Sequence, residues 1–335
     1  MISLVTGASG FVGSHVVRLL LGRGQRVRVL LRPSSDLRAI EGLDVERIKG
    51  DLLDPGSLRA AFAGATRVYH VAADYRLWSR HPAEIYRSNV EGTRNLLEAA
   101  RIASVEKLVY TSTVGTIAVP VPGGLPNEQT PARLSQMIGH YKRSKFLAEQ
   151  EALEAAHKGL PVVIVNPTTP VGPGDWKPTP TGKMIVDFLN GKIPAYVETG
   201  LNIVAVEDVA LGHLLAAERG GAGERYLLGG ENLALKDIFQ ILARISGRPA
   251  PRRRIPHSMA LIAAAIDTGI STLTGHPPRV PLEGARMAKH SMFVDGSKAG
   301  RELGFTPRPA EQALQAAVEW YRDNGYVKGK PPVAD

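Results

Sequence analysis

The sequence contains no cysteine among its 335 residues. This absence excludes a disulfide framework and any metal site built on thiolates, and it agrees with a reducing cytosol. Long apolar runs are also missing, since no stretch reaches the roughly 18 uninterrupted apolar residues of a membrane-spanning helix. The nearest stretch covers residues 259–273, where Asp267 and several small polar residues interrupt it. We interpret it as a core or interface helix, and contact with a membrane surface is the lesser alternative.

Several catalytic motifs are absent as well. The nine histidines form no metal-ligand pair of the His-Glu-x-x-His kind, so no metal is expected. There is no Gly-x-Ser-x-Gly elbow, and Gly182-Lys183 lacks the earlier glycine and the following hydroxyl of a phosphate loop. Because the first strand signal begins at the first residues, we expect no signal peptide and a cytoplasmic protein.

Charge is unbalanced, with 41 Lys and Arg against 32 Asp and Glu and a formal net charge of +9. Such a surplus favours anionic ligands, such as cofactor phosphates, an acidic substrate, nucleic acid or an acidic bilayer. The basic residues are dispersed apart from the run Arg252-Arg253-Arg254, and aromatic residues do not interleave with them as single-stranded nucleic acid prefers. We therefore expect a small-molecule substrate and no nucleic-acid partner.

Strand and helix signals alternate through the first half of the chain. The predicted strands cover residues 2–6, 26–31, 45–49, 67–72, 107–112 and 162–166, and the predicted helices cover residues 11–21, 55–62, 83–103 and 140–157. Short apolar strands that alternate with amphipathic helices indicate a doubly wound parallel sheet of the Rossmann type. Ligands of such sheets bind at the carboxyl ends of the strands.

The composition changes after residue 166, where residues 167–182 are rich in Pro and Gly and predict a loop. A strand at 202–206 and a helix at 207–218 are expected to return to the main sheet. Further helices are predicted at 235–246, 256–273, 281–290 and 309–323. We therefore assign residues 1–166 and about 202–232 to the dinucleotide-binding domain, and about 167–201 and 233–335 to a smaller, discontinuous substrate-binding lobe.

A glycine triplet follows the first strand. Gly7, Gly10 and Gly13 would allow a tight turn, close approach to a pyrophosphate and close packing of helix on strand. The N-terminus of the following helix offers unpaired N–H groups and a positive dipole end to phosphates. A glycine triplet alone is weak evidence, but strand, triplet and helix occur here in the order of a dinucleotide site.

The end of the second strand bears on the choice of dinucleotide. Sites that prefer NAD place Asp or Glu there, whereas this chain reads Arg32-Pro33-Ser34-Ser35. Arg32 could stack on adenine and pair with a 2′-phosphate, helped by the serine hydroxyls, and a solvated arginine is the alternative. We therefore predict NADP rather than NAD.

Two further segments could contact the cofactor. Asp51 after the third strand could accept a hydrogen bond from the adenine amino group, with Leu52 against the ring, and a turn-forming aspartate is equally consistent. The fourth strand ends in Val71-Ala72-Ala73, whose small side chains would let a cofactor lie against the backbone.

Tyr141 and Lys145 are the catalytic candidates. Their i, i+4 spacing places both side chains on one helical face. A free tyrosine has a pKa of about 10, and a nearby lysine cation would lower it toward neutral pH. Thr113 is the first choice to hold a substrate oxygen and Ser112 the second. Asn89 could orient the lysine through a water molecule, or it could simply bond two helices together.

Together these residues resemble the extended short-chain dehydrogenase/reductase family. The resemblance covers TGASGFVG at 6–13, GDLLD at 50–54, NVEGTRNLLEAA at 89–100, YTST at 110–113, YKRSK at 141–145 and NPTTPVGPGD at 166–175, and it is looser in the last hundred residues. Two branches are most similar: the dihydroflavonol-4-reductase-like enzymes, which use NADPH, and the bacterial hopanoid-associated sugar epimerase group.

The resemblance implies a catalytic set of Thr113, Tyr141 and Lys145, with threonine in place of the commoner serine at 113. It also implies that Asn166 and Pro167 line the nicotinamide and substrate edge. With the loop and strand ends described above, the predicted cofactor-binding residues are Gly7, Ser9, Gly10, Phe11, Val12, Gly13, Arg32, Ser35, Asp51, Leu52, Val71, Ala72, Ala73, Thr111, Tyr141, Lys145, Asn166 and Pro167.

The leading functional hypothesis is NADP(H)-dependent reduction of a ketone or aldehyde, or the reverse oxidation. The alternative is an NAD-dependent sugar-nucleotide epimerase or dehydratase. Aliphatic residues in the second lobe, with Trp78 and Trp176 in loops, predict an apolar portion on the substrate, such as a terpenoid, hopanoid-related or aromatic group, although loop tryptophans often serve packing. By the family pattern, helices 83–103 and 140–157 would form a four-helix homodimer interface.

Overall fold

A computed structural model describes residues 1–328 except residues 118, 120 and 122, so the last seven residues of the predicted second lobe lie outside it. The strands are β1 (Ile2–Thr6), β2 (Arg26–Leu31), β3 (Glu46–Lys49), β4 (Arg67–His70), β5 (Lys107–Thr111), β6 (Val162–Pro167), β7 (Thr169–Val171), β8 (Ala195–Tyr196), β9 (Gly200–Ala205), β10 (Arg225–Leu228), β11 (Glu231–Ala234) and β12 (Arg253–Arg254). The helices are α1 (Phe11–Gly22), α2 (Pro55–Phe62), α3 (Pro82–Tyr86), α4 (Gly92–Ile102), α5 (Gly139–His157), α6 (Pro180–Leu189), α7 (Val206–Arg219), α8 (Leu235–Ser246), α9 (His257–Thr274), α10 (Leu282–Met287), α11 (Ser297–Leu303) and α12 (Ala310–Asp323).

The main sheet has seven strands in the order β3-β2-β1-β4-β5-β6-β10, and all of its pairs are parallel. One face is covered by α1, α7 and α11, which share a core with β1 and β2. The other face is covered by α2, α4 and α5. Because a parallel sheet needs apolar cover on both faces, the nearly uninterrupted apolar strands of the first half dictate this arrangement. The predicted doubly wound Rossmann fold is confirmed.

The strand order reverses between β1 and β4, which are neighbours in the sheet although β2 and β3 intervene in the chain. Connections from these two strands run to opposite sides, so a crevice opens at their carboxyl ends. Such a switch point is where doubly wound sheets bind ligands. The glycine turn after β1 and the segment after β4 both lie there.

A second, smaller core is built from α6, α8 and α12 on a three-stranded sheet of order β11-β9-β7. The expectation that the strand near residues 202–206 joins the main sheet is wrong. That strand, β9, pairs parallel with β7 and antiparallel with β11. The place beside β6 is taken by β10, which pairs with β6 in parallel register after the long crossover that parallel neighbours require.

The predicted helix at 83–103 is interrupted. Residues Arg87–Glu91 form a π-helical turn between α3 and α4. Such wide turns occur mostly as single insertions in longer helices, frequently at functional sites. Here the turn carries Asn89, whose side chain leaves the helix to bond the loop after β4.

Candidate active site

The turn after β1 leaves no room for side chains at two of its glycines. A Cβ at Gly7 would lie 2.6 Å from the backbone nitrogen of Ala72, and Gly7 has a φ of +71°. A Cβ at Gly13 would lie 2.0 Å from the carbonyl oxygen of Gly7. The backbone of the turn therefore packs directly on the segment after β4 and on the first turn of α1.

The N-terminus of α1 is open to a ligand. Its N-cap residue is Gly10, which supplies no side-chain cap, so side-chain capping satisfies none of the first N–H groups of the helix. Ser9, Phe11 and Val12 are partly accessible around this end. A helix N-terminus without a side-chain cap, next to a glycine-rich turn, fits the pyrophosphate of a dinucleotide.

The loop after β2 presents Arg32, Pro33 and Ser34 to solvent, with Ser35 partly buried. The first carboxylate along the chain is Asp36, and its two oxygens accept hydrogen bonds from the guanidinium of Arg38. That ion pair keeps the Asp36 pKa below its usual range. The position after β2 therefore carries an accessible guanidinium and no unengaged acid.

Asp51 and Leu52 lie at the end of β3. The Asp51 carboxylate accepts a hydrogen bond from the backbone of Leu53 at 2.9 Å, which shows the turn-forming role. No donor among the described residues bonds its second oxygen, which could therefore accept from a ligand. Leu52 packs so closely on Gly92 of α4 that a Cβ there would collide with the Leu52 side chain. Asn95 of α4 donates to the Leu52 carbonyl at 2.9 Å, so α4 holds this segment in place.

Tyr141 lies in the first turn of α5, next to Thr113 at the end of β5. Burial raises the pKa of Tyr141, and the nearby Thr113 side chain acts in the opposite direction. The Thr113 hydroxyl also accepts from the backbone of Gly115 at 3.1 Å, which orients it. Ser112 differs, because its buried hydroxyl donates to Glu149 and is already used. The pair Thr113 and Tyr141 is therefore the one that can share a substrate oxygen.

Lys145 is buried one helical turn after Tyr141. Its ammonium donates to the hydroxyl of Tyr110 at 2.9 Å and to the carbonyl of Thr111 at 2.8 Å. Burial lowers the pKa of Lys145 to about 7, while the negative charge of Glu149 works in the opposite direction. Since an ammonium has three N–H groups, one donor remains for another partner.

Asn89 bonds two segments together. Its amide accepts from the backbone nitrogen of Asp74 at 2.8 Å and donates to the Asp74 carbonyl and the Ser144 hydroxyl, each at 2.9 Å. Within the described residues, no hydrogen bond joins Asn89 to Lys145. The structure thus brings Asn89 to helix α5 rather than to the lysine itself.

A buried carboxylate beneath the site was missed by the sequence analysis. Glu149 is fully buried, and its oxygens accept from Ser112, Thr116, Asn166 and Arg225. It lies four residues after Lys145 on the same helical face, which is the one signal that could have pointed to it. The network fixes the carboxyl ends of β5 and β6 against α5.

Asn166 and Pro167 are both buried at the end of β6. The Asn166 amide donates to the Thr113 carbonyl at 3.1 Å and to the Glu149 carboxylate at 2.9 Å. Its amide oxygen is buried without a protein partner among the described residues. An acceptor left open at this edge fits a donor group on a bound ligand.

Two buried histidines support the strand ends. The Nδ1 of His213 donates to the Val209 carbonyl at 2.7 Å, so its Nε2 accepts from the Thr111 hydroxyl at 2.9 Å. Burial lowers the pKa of His213 to about 4 and that of His70 to about 3. Both rings are therefore neutral at physiological pH and serve as fixed hydrogen-bonding parts.

The two loop tryptophans differ in their surroundings. Trp176 packs edge-on against Trp320, with the ring centroids 5.0 Å apart, and the Arg38 guanidinium lies over the Trp176 ring. Trp176 therefore packs between the loop after β2 and the second lobe. Trp78 is partly buried in the loop after β4. That same loop contributes Tyr75, an exposed aromatic whose charge state bears on the pKa of Tyr141.

Comparison with known proteins places this geometry in a family. The profile of the NAD dependent epimerase/dehydratase family matches residues 3–229. A protein of Synechocystis sp. provisionally named dihydroflavonol 4-reductase is 46% identical over 97% of this chain and 95% of its own length. Sterol demethylase protein B of Methylococcus capsulatus is 37% identical over 98% of this chain and 100% of its own length.

Solved structures agree with this family assignment. The crystal structure of a nucleoside-diphosphate-sugar epimerase from Pseudomonas aeruginosa superposes with a TM-score of 0.80 at 30% identity, over 98% of this chain and 99% of that one. The glycine turn at the switch point and the tyrosine and lysine of α5 are thus found in a chain whose relatives include both reductases and epimerases. The protein belongs to the NAD dependent epimerase/dehydratase family, within the extended short-chain dehydrogenases/reductases, and is an NAD(P)-dependent enzyme.

Proposed function

We propose that this protein is an NADP(H)-dependent oxidoreductase that reduces a ketone or aldehyde, or oxidises the corresponding alcohol. The observation that carries the proposal is the meeting of Thr113, Tyr141 and buried Lys145 at the carboxyl edge of the sheet. Names of relatives support the direction, since they include a dihydroflavonol 4-reductase and, at 34% identity, a cinnamoyl-CoA reductase of Petunia hybrida.

The cofactor would be held by residues already described. The turn at Gly7–Gly13 and the N-terminus of α1 would bind the pyrophosphate. Arg32 and Ser35 would contact the 2′-phosphate, and Asp51 and Leu52 would contact the adenine. The rest of the cofactor would lie against Val71-Ala72-Ala73, Thr111 and the edge at Asn166-Pro167. Lys145 has one N–H free to donate to the cofactor. When bound, NADPH supplies the hydride, and the protein supplies position and protons.

Tyr141 would donate the proton in the direction of reduction. Burial keeps its pKa raised, so the phenol is protonated before the reaction and can donate to a carbonyl oxygen. The Thr113 hydroxyl would hold that oxygen beside the phenol. As the phenol loses its proton, the Lys145 ammonium at the next helical turn would stabilise the anion that forms.

The substrate is proposed to carry an apolar portion. Trp176 no longer supports this, because it packs within the protein. Support comes instead from Tyr75, which is 41% exposed beside Tyr141, and from the named relatives that act on sterols and on aromatic acyl groups. The lack of cysteine supports a cytoplasmic location as part of the same proposal.

The test is a steady-state assay of the purified full-length protein. NADPH oxidation is followed with a panel of apolar ketones and aldehydes, including terpenoid and aromatic ones. We expect turnover with at least one compound, and a fall in kcat of about a hundredfold to ten-thousandfold in Tyr141→Phe, the range for losing a general acid. The matched control is Tyr86→Phe, whose hydroxyl lies 3.2 Å from His140 on α5 and should leave kcat unchanged.

The competing function is sugar-nucleotide epimerisation, in which the same tyrosine acts but the dinucleotide is regenerated in each cycle. Protein that purifies with bound NAD, converts a sugar nucleotide and oxidises no NADPH with any carbonyl would contradict the reductase proposal.

A further inference from the structure

Helix α9 turns an apolar face to solvent. Met259, Ile262, Ile266, Ile270 and Leu273 expose between 54% and 85% of their surface. Their spacing of three or four residues puts all five on one side of the helix. Side chains of this kind usually face a core, and a continuous exposed stripe of them marks an interaction surface. We call these five residues the α9 face.

No charge interrupts the α9 face. Asp267 is the one ionisable residue in α9 besides His257 at its first position, and it is partly buried. Its carboxylate accepts a hydrogen bond from the backbone nitrogen of Val280 at 3.0 Å, and Leu282 donates to the Thr268 hydroxyl beside it. These bonds hold the opposite side of the helix to the returning chain, so the apolar side remains the outward one.

Exposed cations precede and follow α9 in the sequence. Residues 252–290 contain six arginines and lysines and two carboxylates. All six basic residues are exposed: Arg252, Arg253, Arg254, Arg279, Arg286 and Lys289. The two acids are Asp267, bonded as described, and Glu283, which accepts from the backbone of His140 at 3.2 Å. Among the described residues Arg254 pairs with Glu198, and no ion pair neutralises the other five cations.

An apolar helical face with exposed cations before and after it in the chain complements an anionic lipid surface. Its aliphatic side chains can enter the boundary between headgroups and acyl chains while arginines contact phosphates. Among the described residues, no helix combines the length and hydropathy needed to cross a bilayer. We propose that α9 lies in the surface of an anionic phospholipid bilayer and attaches the protein to it from one side.

The position of α9 relative to the active site gives this attachment a use. Arg80, from the loop that also carries Tyr75, donates to the Thr272 carbonyl in the last turn of α9 at 3.2 Å. Helix α10 packs on α9, and its Glu283 contacts His140, the residue before Tyr141. Helix α9 is thus linked to the segments that carry Tyr75 and Tyr141. Attachment through the α9 face would hold these segments near the bilayer, from which a dissolved apolar carbonyl compound could reach the site. This last step rests on the proposed reductase function, whereas the attachment itself does not.

The test is flotation of the full-length protein with vesicles, which needs no catalytic assay. Vesicles of phosphatidylcholine alone are compared with equimolar phosphatidylcholine and phosphatidylglycerol. We expect the protein to float with the anionic vesicles, and the Ile262→Ser/Ile266→Ser variant to lose about tenfold or more in partition coefficient. Arg252→Gln/Arg253→Gln should weaken binding to anionic vesicles and reduce its dependence on salt.

Ile102→Ser is the matched control, since Ile102 is an exposed isoleucine at the end of α4 with 57% exposure against 60% for Ile266. It should bind vesicles like the wild type, and thermal unfolding should show both isoleucine variants folded. Failure of the wild type to float with either vesicle, or equal losses in the two isoleucine variants, would overturn the proposal. It would also be overturned if the α9 variant left flotation unchanged but abolished self-association in sedimentation, because the face would then bind a second copy of the chain.

Discussion

At the scale of single residues, the proposed preference for NADP over NAD rests on Arg32. Its guanidinium is exposed at the end of β2, and the nearest acid, Asp36, is engaged by Arg38. We expect Arg32→Ala to weaken NADPH binding by about tenfold to a hundredfold, the value of one or two charge-assisted hydrogen bonds. NADH affinity should stay within about twofold, because its ribose carries no phosphate for Arg32 to contact.

Dissociation constants from titration of dinucleotide fluorescence provide the measurement. Arg26→Ala is the control, since Arg26 is an exposed arginine at the other end of the same strand. Equal losses for NADPH and NADH in Arg32→Ala would mean that the residue stacks on adenine without reading the phosphate.

A second prediction concerns the charge beneath the site. Burial lowers the pKa of Lys145 to about 7, although the negative charge of Glu149 acts to raise it. In Glu149→Gln that pKa should fall further. If catalysis needs the charged lysine, activity is lost as pH rises through the lysine pKa, and this loss should begin at a lower pH in the variant.

The readout is the alkaline limb of the kcat/KM profile. Arg225 and three donors also lose their anionic acceptor, so unfolding in urea should show a loss of about 1–3 kcal/mol. Glu154→Gln on the same helix is the control, because Glu154 is exposed and, among the described residues, forms an ion pair only with Lys158 at the surface. A stability loss without any shift of the limb would limit Glu149 to a structural role.

Sequence reasoning could select Thr113, Tyr141 and Lys145 as candidates because motifs and helical spacing are local properties, and their catalytic roles stay a prediction. It missed Glu149 because the partners of that carboxylate come from β5, β6 and β10, which are distant along the chain. It also misjudged how the tyrosine is tuned. In the structure, burial and Thr113 dominate the Tyr141 pKa, and the Lys145 ammonium bonds Tyr110.

At the scale of elements, the close packing of α1 on the glycine turn can be tested. The Cβ of an alanine at position 13 would collide with the Gly7 carbonyl, so the helix must shift. We expect Gly13→Ala to cost about 1–3 kcal/mol of stability, the usual range for overpacking, and to weaken NADPH binding at least about tenfold. Urea unfolding and dinucleotide titration measure the two effects.

Gly22, the last residue of the same helix, supplies the control. A Cβ there would meet nothing within 4 Å. Gly22→Ala should therefore leave binding unchanged and stabilise the protein by up to about 1 kcal/mol through helix propensity. If the two variants behaved alike, backbone entropy rather than crowding would explain the glycine at position 13.

Periodicity predicted the strands and helices of the first half nearly to their ends, but it did not predict which sheet each strand joins. The segments β9 and β10 are both short apolar runs, and a run of this kind carries no information about its neighbour. Tertiary contacts decided the pairing: β9 pairs with β7 in the smaller sheet, and β10 pairs with β6 at the edge of the main sheet. The π-helical turn at Asn89 was not predicted for a similar reason, because the side chain it presents bonds Asp74 in another loop.

At the scale of the whole molecule, the two cores share one segment. Val204 at the end of β9 and Val209 of α7 belong to the core of the main sheet, whereas Ile203 and Ala205 face the smaller core. Alternate residues of one strand thus face two different lobes, as the two-residue period of a strand allows. The domain limits given from the sequence stay a prediction, since a segment shared in this way has no single boundary.

The last prediction concerns assembly, and we propose a homodimer formed by α4 and α5 of two protomers. Leu147 of α5 is partly exposed, and the helical period puts it on the side of the helix away from Lys145 and Glu149. In an interface with twofold symmetry each substitution occurs twice, so a charge introduced there is doubly unfavourable. We expect Leu147→Arg to weaken dimerisation by about tenfold or more in sedimentation velocity. Leu125→Arg, at a leucine with 47% exposure outside both helices, should leave the dimer intact. A wild-type protein that sediments as a monomer at micromolar concentration would refute the homodimer. The Leu147 side of α5 would then be exposed to solvent.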